Sequence, residues 1–328
     1  MVTVDLETKL KLYETMVRIR RFEEKVIDLF ARGKIPGFLH SYYGEEAVAT
    51  GACAQLRPDD YITSTHRGHG HILAKGARTD LAMAELFGKR TGYCHGKGGS
   101  MHIADPDIGI LGAKGIVGSG IVIANGAGFS AQYRGTDQVT VCFFGDGASN
   151  QGTFHEGLNI ASLFRLPVIF VCENNGFGMS TSQCNHQAIP DIAVRAQGYN
   201  MPGVVVDGNN VLAVYETVGE AIKRARAGGG PTLVEAKTFR VRGHYEGDTQ
   251  PYRTREELEA CRERCPSKRL KGALVQEGVL EAAEAIEARI SVELDAAVAF
   301  AESSPPPEPA EALQGIFAPT PEVPPCPR

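Results

Sequence analysis

The sequence predicts an α/β fold in which an open, mostly parallel sheet carries helices on both faces. Two short apolar runs, Gln138 to Phe144 and Leu166 to Cys172, have the length and composition of buried strands. A segment with helical periodicity, Thr153 to Phe164, lies between them. A strand, a helix and a strand of these lengths form a right-handed crossover with parallel strands. Further strand and helix candidates alternate after them, which is typical of an open α/β sheet.

The chain opens with a long amphipathic helix. Apolar residues recur at helical spacing from Leu6 to Arg32, and Gly33 follows as a candidate C-cap. From Gly88 to Gly128 the chain is rich in glycine, which predicts a loop-rich zone where the backbone closely approaches another group. Lys97 within this zone superficially resembles a phosphate-loop lysine. The pattern G-x-x-x-x-G-K-[ST] is absent, however, so a structural role is favoured.

Beyond the crossover, the alternation of strands and helices continues. Strand candidates lie at Val204 to Val206 and Thr232 to Arg240, with a helical stretch from Val211 to Ala227 between them. Charged helical segments follow at Thr254 to Arg269 and Glu281 to Ala301. These later segments extend the sheet and then add helices to it.

Composition changes abruptly after the last helical segment. Nine of the 18 prolines fall between Pro305 and Pro327, which predicts an extended or disordered tail without a fold. The predicted organisation is therefore an α/β domain over residues 1–253 that includes the N-terminal helix, a helical extension over 254–302 and a proline-rich tail over 303–328.

Composition also excludes several classes of partner and site. The chain has 34 basic and 39 acidic residues, a net charge of −5, and no long basic run, which disfavours nucleic acid and anionic membranes as partners. Eight cysteines form no C-x-x-C pair, so we expect reduced thiols and no zinc site. The N-terminus lacks the pattern of a signal peptide, and no apolar stretch approaches the ~20 residues of a membrane span. We therefore expect a cytoplasmic protein.

Polar residues follow both strands of the crossover. Asp146 lies in the turn Gly145-Asp146-Gly147, and the amides Asn174-Asn175 follow the second strand. Because parallel strands end at the same sheet edge, these groups can converge where open α/β folds bind ligands. Each motif alone also fits an ordinary cap or turn. Their order, spacing and strand context together favour a binding site.

The donor types indicate the ligand. A carboxylate oxygen, an amide oxygen and a backbone carbonyl suit Mg²⁺, which usually leaves positions for phosphate oxygens and water. The turn glycines and a helix beginning near Gly152 direct backbone N–H groups to the same place. A diphosphate is therefore the natural co-ligand.

At this point a family resemblance becomes visible. Gly145-Asp146-Gly147 followed by Asn174-Asn175 resembles the thiamine diphosphate and magnesium motif of thiamine-dependent enzymes. The likeness extends from Arg18-Ile-Arg-Arg-Phe-Glu-Glu to Thr254-Arg-Glu-Glu and stops at the proline tail. The chain is similar to alpha subunits of the thiamine diphosphate-dependent component of 2-oxo acid dehydrogenase complexes. The acetoin dehydrogenase branch is the nearest and the pyruvate dehydrogenase branch the next.

The resemblance implies a role for each matching residue. Asp146 and Asn175 would bind Mg²⁺ through their side chains and Phe177 through its backbone carbonyl. Gly147 and Ala148 would meet the diphosphate through backbone amides. The other cofactor residues that the resemblance implies are Arg67, His40, His66, His244, Gly115 and Val117.

Arg67 matches the arginine that clamps the diphosphate, a task that suits a guanidinium better than an ammonium group. His40 and His244 match the histidines that line the phosphate and the substrate channel, and together with His66 they are the predicted catalytic residues. His66 stands where the pyruvate branch has a tyrosine. Gly115 and Val117 match the segment under the pyrimidine ring of the cofactor.

The remaining histidines are weaker candidates, because an isolated histidine is more often a surface or structural residue than a catalyst. His69 and His71 follow Arg67 closely in the sequence, so they are candidates for orienting the cofactor residues without contacting the cofactor. Ordinary surface or structural roles are predicted for His95, His102, His155 and His186.

The resemblance also implies partners. In this family a glutamate from a second, pyrimidine-binding domain activates the cofactor, and each such domain takes about 150 residues or more. A separate beta subunit is therefore expected, giving an α2β2 heterotetramer, with a lipoyl-bearing acyltransferase as the acceptor component. The small-molecule substrate would be acetoin, with pyruvate or a branched 2-oxo acid as the alternative.

The segment from His244-Tyr-Glu-Gly-Asp to Tyr252-Arg resembles the acetoin branch, and we interpret it as an active-site loop rather than a simple connection.

Two competing functions remain to be weighed. A nicotinamide dehydrogenase needs G-x-G-x-x-G directly after a strand, and no predicted strand has it. A non-catalytic partner subunit would keep the fold and lose the site. The presence of Asp146, Asn175 and Arg67 argues against that loss.

Overall fold

The computed structural model describes residues 4–315. The strands of this part are β1 (Tyr61–Thr63), β2 (Thr140–Gly145), β3 (Val168–Asn174), β4 (Phe177–Gly178), β5 (Thr181–Ser182), β6 (Gly203–Asp207) and β7 (Thr232–Lys237). Five of them form a sheet in the order β1-β2-β3-β7-β6, and every neighbouring pair in it is parallel. The other two form a short antiparallel hairpin directly after β3.

Helices cover both faces of this sheet. Those of the described part are α1 (Leu6–Ala31), α2 (Glu46–Cys53), α3 (Gly68–Lys75), α4 (Thr79–Leu86), α5 (Ser119–Tyr133), α6 (Gly152–Leu163), α7 (Gln183–His186), α8 (Val211–Arg226), α9 (Arg255–Glu263), α10 (Pro266–Gln276) and α11 (Leu280–Ser303). The predicted fold class is confirmed.

Two apolar cores hold the layers together, one on each face of the sheet. Along β2, Val141 and Phe143 pack into the core formed with α1, α2, α4, α8 and α11, whereas Cys142 and Phe144 pack into the core formed with α5 and α6. Successive side chains of a strand point to opposite faces, so a strand covered on both sides must be apolar throughout. This explains why β2 and β3 are continuous apolar runs.

The crossover β2-α6-β3 positions the candidate site. Thr140 pairs with Val168, and the register continues to Gly145 opposite Glu173. Asp146 and Asn174 therefore leave the sheet at the same level. A short 3-10 turn, Asp146–Asn150, follows β2 and leads into the N-terminus of α6.

Several boundaries differ from the sequence prediction. The loop-rich zone predicted through Gly128 ends earlier, because α5 begins at Ser119. The helix predicted from Thr254 to Arg269 is divided into two, since Pro266 begins α10 and has no N–H to continue α9. Cys261 lies in α9, whereas the buried Cys265 is the residue before α10.

The first part of the proline-rich segment also differs from the prediction. It contains a 3-10 turn, Pro309–Leu313, and its backbone accepts a hydrogen bond from Arg90 N at Pro305 O (3.0 Å). Lys97 Nζ donates to Gln314 O at 2.7 Å. Residues 305–315 thus pack against the segment that follows α4. The rest of the predicted tail lies outside the described residues.

The predicted division at residue 253 stays a prediction. Leu270 of α10 and Leu294 of α11 belong to the same apolar core as Phe22 of α1. Within residues 4–315, no helix is both long enough and apolar enough to cross a membrane.

Candidate cofactor site

A cavity of about 530 Å³ opens at the carboxyl ends of β2 and β3. Asp146, Asn175 and Phe177 all line it, although Asp146 follows β2 and the other two follow β3. The parallel register explains this, because both strands end at the same edge of the sheet. The predicted metal ligands are thus brought together in one cavity.

Most of the predicted cofactor residues line the same cavity. These are His66, Arg67, Val117, Asp146, Gly147, Ala148, Asn175, Phe177 and His244. His40 and Gly115 are not among the residues that line it. Gly115 lies between Lys114 and Ile116, which do line it. His40 packs edge-on against the rings of His66 and His244, with ring centroids 4.9 Å and 5.1 Å apart.

The three histidine rings form a compact neutral cluster. The rings of His66 and His244 are 5.4 Å apart. Burial, followed by the positive charge of Arg67, lowers the pKa of His40 to about 3, of His66 to about 2 and of His244 to about 4. These imidazoles are therefore neutral near pH 7, and each can offer only one N–H donor.

Arg67 is held rigidly beside this cluster. The side chain is buried, and it donates from Nη1 to Ser41 O (2.8 Å) and from Nη2 to His244 O (2.6 Å). Nη2 also lies 3.2 Å from His244 Nδ1. A guanidinium only donates, so Nδ1 is the acceptor and His244 carries its proton on Nε2. The pKa of Arg67 falls to about 10 through burial and then the charge of Arg240, which leaves the group cationic.

Arg240 adds a second buried cation to the cavity. It is 1% exposed and donates to Met179 O (2.8 Å) and to Tyr252 Oη (2.9 Å). Among residues 4–315, no carboxylate lies within 4.0 Å of either Arg67 or Arg240. Two buried guanidinium groups without a paired acid are expensive unless an anion binds between them. This charge pattern fits a diphosphate.

The side chains predicted to bind a metal also fit that role. Asp146 is 2% exposed, and its Oδ2 has no hydrogen-bond partner among the described residues. Burial raises the pKa of this carboxyl, so a cation at Oδ2 would relieve an unfavourable charge. Within the described part of the chain, Asn175 Oδ1 accepts only the long bond from Phe177 N, at 3.3 Å. One carboxylate with an amide and a backbone oxygen is a set for a hard divalent cation.

A comparison with protein families decides the classification. Residues 14–310 match the model of the family described as "Dehydrogenase E1 component". The chain belongs to this E1 family. The resemblance inferred from the motifs is thereby confirmed, and with it the dependence on thiamine diphosphate that characterises the family.

Characterised relatives of this E1 chain fall into two groups. It is 54% identical to the alpha subunit of an acetoin:2,6-dichlorophenolindophenol oxidoreductase from Bacillus subtilis, covering 95% of this chain and 94% of the relative. It is 47% identical to the corresponding subunit from Cupriavidus necator, covering 96% and 95%. It is 42% identical to a pyruvate dehydrogenase E1 alpha subunit from Porphyra purpurea, covering 94% and 92%.

Glu45 of this E1 chain is a cavity residue that was not predicted from the sequence. This carboxylate is 1% exposed, lines the cavity and accepts a hydrogen bond from Asn175 Nδ2 at 3.0 Å. Gly44, before it, has φ +111°, and a Cβ there would lie 2.6 Å from Phe239 O, so only glycine permits this turn. Burial and then the charge of Glu173 raise the pKa of Glu45 to about 7. In the sequence, the glycine directly before it is the one feature that marks Glu45 as a candidate.

The bond from Asn175 to Glu45 has a geometric consequence. It fixes which end of the Asn175 carboxamide faces the carboxylate, because only the amide nitrogen can donate to it. The amide oxygen then keeps a lone pair for a cation beside its long bond from Phe177 N. Glu173 supports this arrangement from the strand end, where it accepts hydrogen bonds from Tyr42 Oη and His71 Nε2.

The segment after β7 is held in place by one carboxylate. Asp248 accepts hydrogen bonds from His244 N (2.7 Å), Gln250 N (2.9 Å) and Tyr252 Oη (2.5 Å). The guanidinium carbon of Arg253 lies 4.4 Å from the centroid of the Phe177 ring. These contacts link the segment to the cavity, as the prediction of an active-site loop requires.

The other histidines are placed as follows. His69 and His71 are fully buried behind the site, where His69 contacts Glu23 (3.0 Å) and His71 contacts Glu173 (3.0 Å). His186, for which the sequence predicted an ordinary surface or structural role, lines the cavity. No sequence signal marked His186, because α7 reaches the cavity only through the fold of the β4-β5 hairpin.

Proposed function

We propose that the chain is the alpha subunit of a thiamine diphosphate-dependent acetoin dehydrogenase. It would cleave acetoin and pass the acetyl unit to a lipoyl carrier. The observation that carries the enzyme class is the convergence of Asp146, Asn175 and Arg67 on one cavity. The higher identity to acetoin-oxidising relatives, 54% against 42% for the pyruvate dehydrogenase relative, favours the substrate.

Each residue at the cavity has a task in this proposal. Asp146, Asn175 and the carbonyl of Phe177 would hold Mg²⁺, and Arg67 with the backbone of Gly147 would hold the diphosphate. Thiamine diphosphate, when bound, supplies a carbon that attacks carbonyl groups and stores the resulting negative charge. The protein contributes binding, orientation and the exclusion of water.

The neutral histidines are suited to orient the substrate. His244 has its Nδ1 occupied by Arg67, so its Nε2 carries the N–H that it offers as a donor. Such donors stabilise negative charge that develops on a carbonyl oxygen. His40 and His66 pack against this ring and keep its orientation fixed.

A partner chain is part of the proposal, as a beta subunit in an α2β2 heterotetramer. Ile116 and Val117 lie at the cavity and are 75% and 48% exposed. Farther away, Phe129 and Tyr133 of α5 stack against each other while 50% and 84% exposed. Large apolar side chains that remain uncovered together support association with another protein.

The decisive experiment is turnover by the chain reconstituted with its beta subunit. Acetoin, pyruvate and branched 2-oxo acids would be compared, with an artificial electron acceptor in place of the lipoyl carrier. We expect acetoin to be used best and Asp146→Ala to abolish activity while the fold, followed by circular dichroism, is kept. Faster turnover of pyruvate would assign the chain to the pyruvate branch, and Asp146→Ala with full activity would refute the site.

A further inference from the structure

His186 directs one ring nitrogen into the cofactor cavity. It is the last residue of α7, its side chain is 15% exposed, and it lines the cavity beside Asp146 and Gly178. Its Nε2 lies 3.5 Å from Asp146 Oδ2, and neither atom has a hydrogen-bond partner among residues 4–315. A buried polar atom without a partner requires an explanation.

Neighbouring residues determine which nitrogen of His186 carries the proton. Arg195 Nη2 lies 3.0 Å from Asn150 Oδ1, and because a guanidinium only donates, the oxygen of the amide must face it. The amide nitrogen of Asn150 then faces His186 and donates to His186 Nδ1 at 3.0 Å and to His186 O at 3.0 Å. Nδ1 is therefore the acceptor. In the neutral ring the proton lies on Nε2, the atom that faces the cavity.

The chemistry of a donor at this place selects its ligand. A cation bound to Asp146 would not approach an N–H group, and a water molecule bound to that cation uses its hydrogens to donate. A phosphate oxygen only accepts, and on an ionised phosphate it forms a strong charge-assisted bond with a ring N–H. Gly147 and Gly178 pack against each other at this wall of the cavity, and a Cβ on Gly178 would contact His186 Nε2 at 3.5 Å, so the missing side chain leaves Nε2 uncovered on that side.

We propose that His186 donates a hydrogen bond from Nε2 to an oxygen of the cofactor's diphosphate, with Asn150 and Arg195 fixing its tautomer. The inference rests on the proposed function, since it assigns this residue to the same cofactor. It adds a diphosphate-binding residue from α7 to the residues of the strand ends.

Equilibrium binding to the reconstituted alpha–beta pair tests this proposal. Dissociation constants would be measured by titration calorimetry at saturating Mg²⁺ for thiamine diphosphate and for thiamine, which lacks the phosphates. For His186→Ala we expect binding of thiamine diphosphate to weaken by about tenfold or more, the range for a hydrogen bond to a charged group. Binding of thiamine should stay unchanged. In His186→Gln, the amide nitrogen can replace Nε2 and should restore most of the affinity.

His155→Ala is the matched control. This histidine on α6 is exposed, bonds to Tyr199 and does not line the cavity, so the variant should bind like the wild type. Mn²⁺ binding without cofactor, followed by electron paramagnetic resonance, is the second readout. An unchanged value for His186→Ala supports the proposal. A parallel loss of Mn²⁺ binding would mean that His186 only orients Asp146, and would overturn it.

The remaining outcomes are also decisive. Wild-type affinity for thiamine diphosphate in His186→Ala, or an equal loss for thiamine and its diphosphate, refutes the assignment of His186 and leaves the proposed function intact. No Mg²⁺-dependent binding of thiamine diphosphate by the wild-type pair refutes the proposed function itself, and the role of His186 with it.

Discussion

Replacing Glu85 by glutamine should loosen the glycine-rich segment that follows α4. The Glu85 carboxylate is fully buried and accepts four backbone hydrogen bonds. Its Oε2 accepts from Cys94 N (2.8 Å) and Gly96 N (2.9 Å), and its Oε1 from Gly98 N (2.7 Å) and Gly99 N (3.0 Å). The segment that superficially resembles a phosphate loop therefore encloses an anion of the protein itself.

The expected magnitude follows from these contacts. In Glu85→Gln, one of the two oxygens becomes an NH₂ group, which cannot accept, so two of the four backbone donors lose their partner. Hydrogen bonds to a charged group contribute about 1.5–3 kcal/mol each, so the free energy of unfolding should fall by about 3–6 kcal/mol. Because the entropy of unfolding scales with chain length, each kcal/mol lost from the free energy of unfolding lowers Tm by about 1.5 °C for a chain of this size. A decrease in Tm of about 5–9 °C is expected.

Two measurements check this prediction. Calorimetry of the reconstituted pair gives the change in Tm, and amide hydrogen exchange reports protection at positions 94, 96, 98 and 99. The control is Glu220→Gln on α8, whose exposed carboxylate pairs with the exposed Lys223. This substitution should change the free energy of unfolding by less than ~1 kcal/mol. Unchanged protection at all four amides in Glu85→Gln would show that the carboxylate does not organise this segment.

Three further predictions concern the cavity and its loop. Glu45→Leu should weaken Mg²⁺-dependent cofactor binding by about tenfold, because Asn175 loses its acceptor. Glu45→Gln should keep most of the affinity, since the Gln oxygen still accepts from Asn175. Equal losses of affinity in calorimetric titrations of the two variants would contradict this. His66 has a pKa lowered to about 2, so the folded state stays unprotonated while the unfolded state takes up a proton below pH ~6.5. Stability should therefore fall from pH 7 to pH 5, and His66→Gln should remove up to ~2 kcal/mol of that fall in urea titrations; identical pH slopes would refute it. Asp248→Ala should speed proteolysis between residues 243 and 253, since three donors lose their acceptor, and a wild-type cleavage rate would argue against this anchor.

The sequence alone predicted four of the five strands of the parallel sheet, the crossover and the strand-end positions of Asp146 and Asn175, but not β1. Asp146 and Asn175 could be assigned because each directly follows an apolar strand, and the parallel register places their strand ends side by side. The family motif extended this assignment to Arg67 and His244, which also line the cavity. Local pattern and strand order were sufficient here, because these positions depend on the backbone.

Tertiary structure decided the roles that depend on packing between distant segments. Only the preceding Gly44 marks Glu45 in the sequence, and no local pattern marks His186. Both reach the cavity because the turn after Tyr43 and the short helix α7 fold against the ends of β2 and β3. The anion enclosed by the glycine-rich segment is likewise Glu85 of α4, which periodicity would assign only to a buried helix face. A buried charge is identified by the donors that surround it, and those donors are brought together only when the chain has folded.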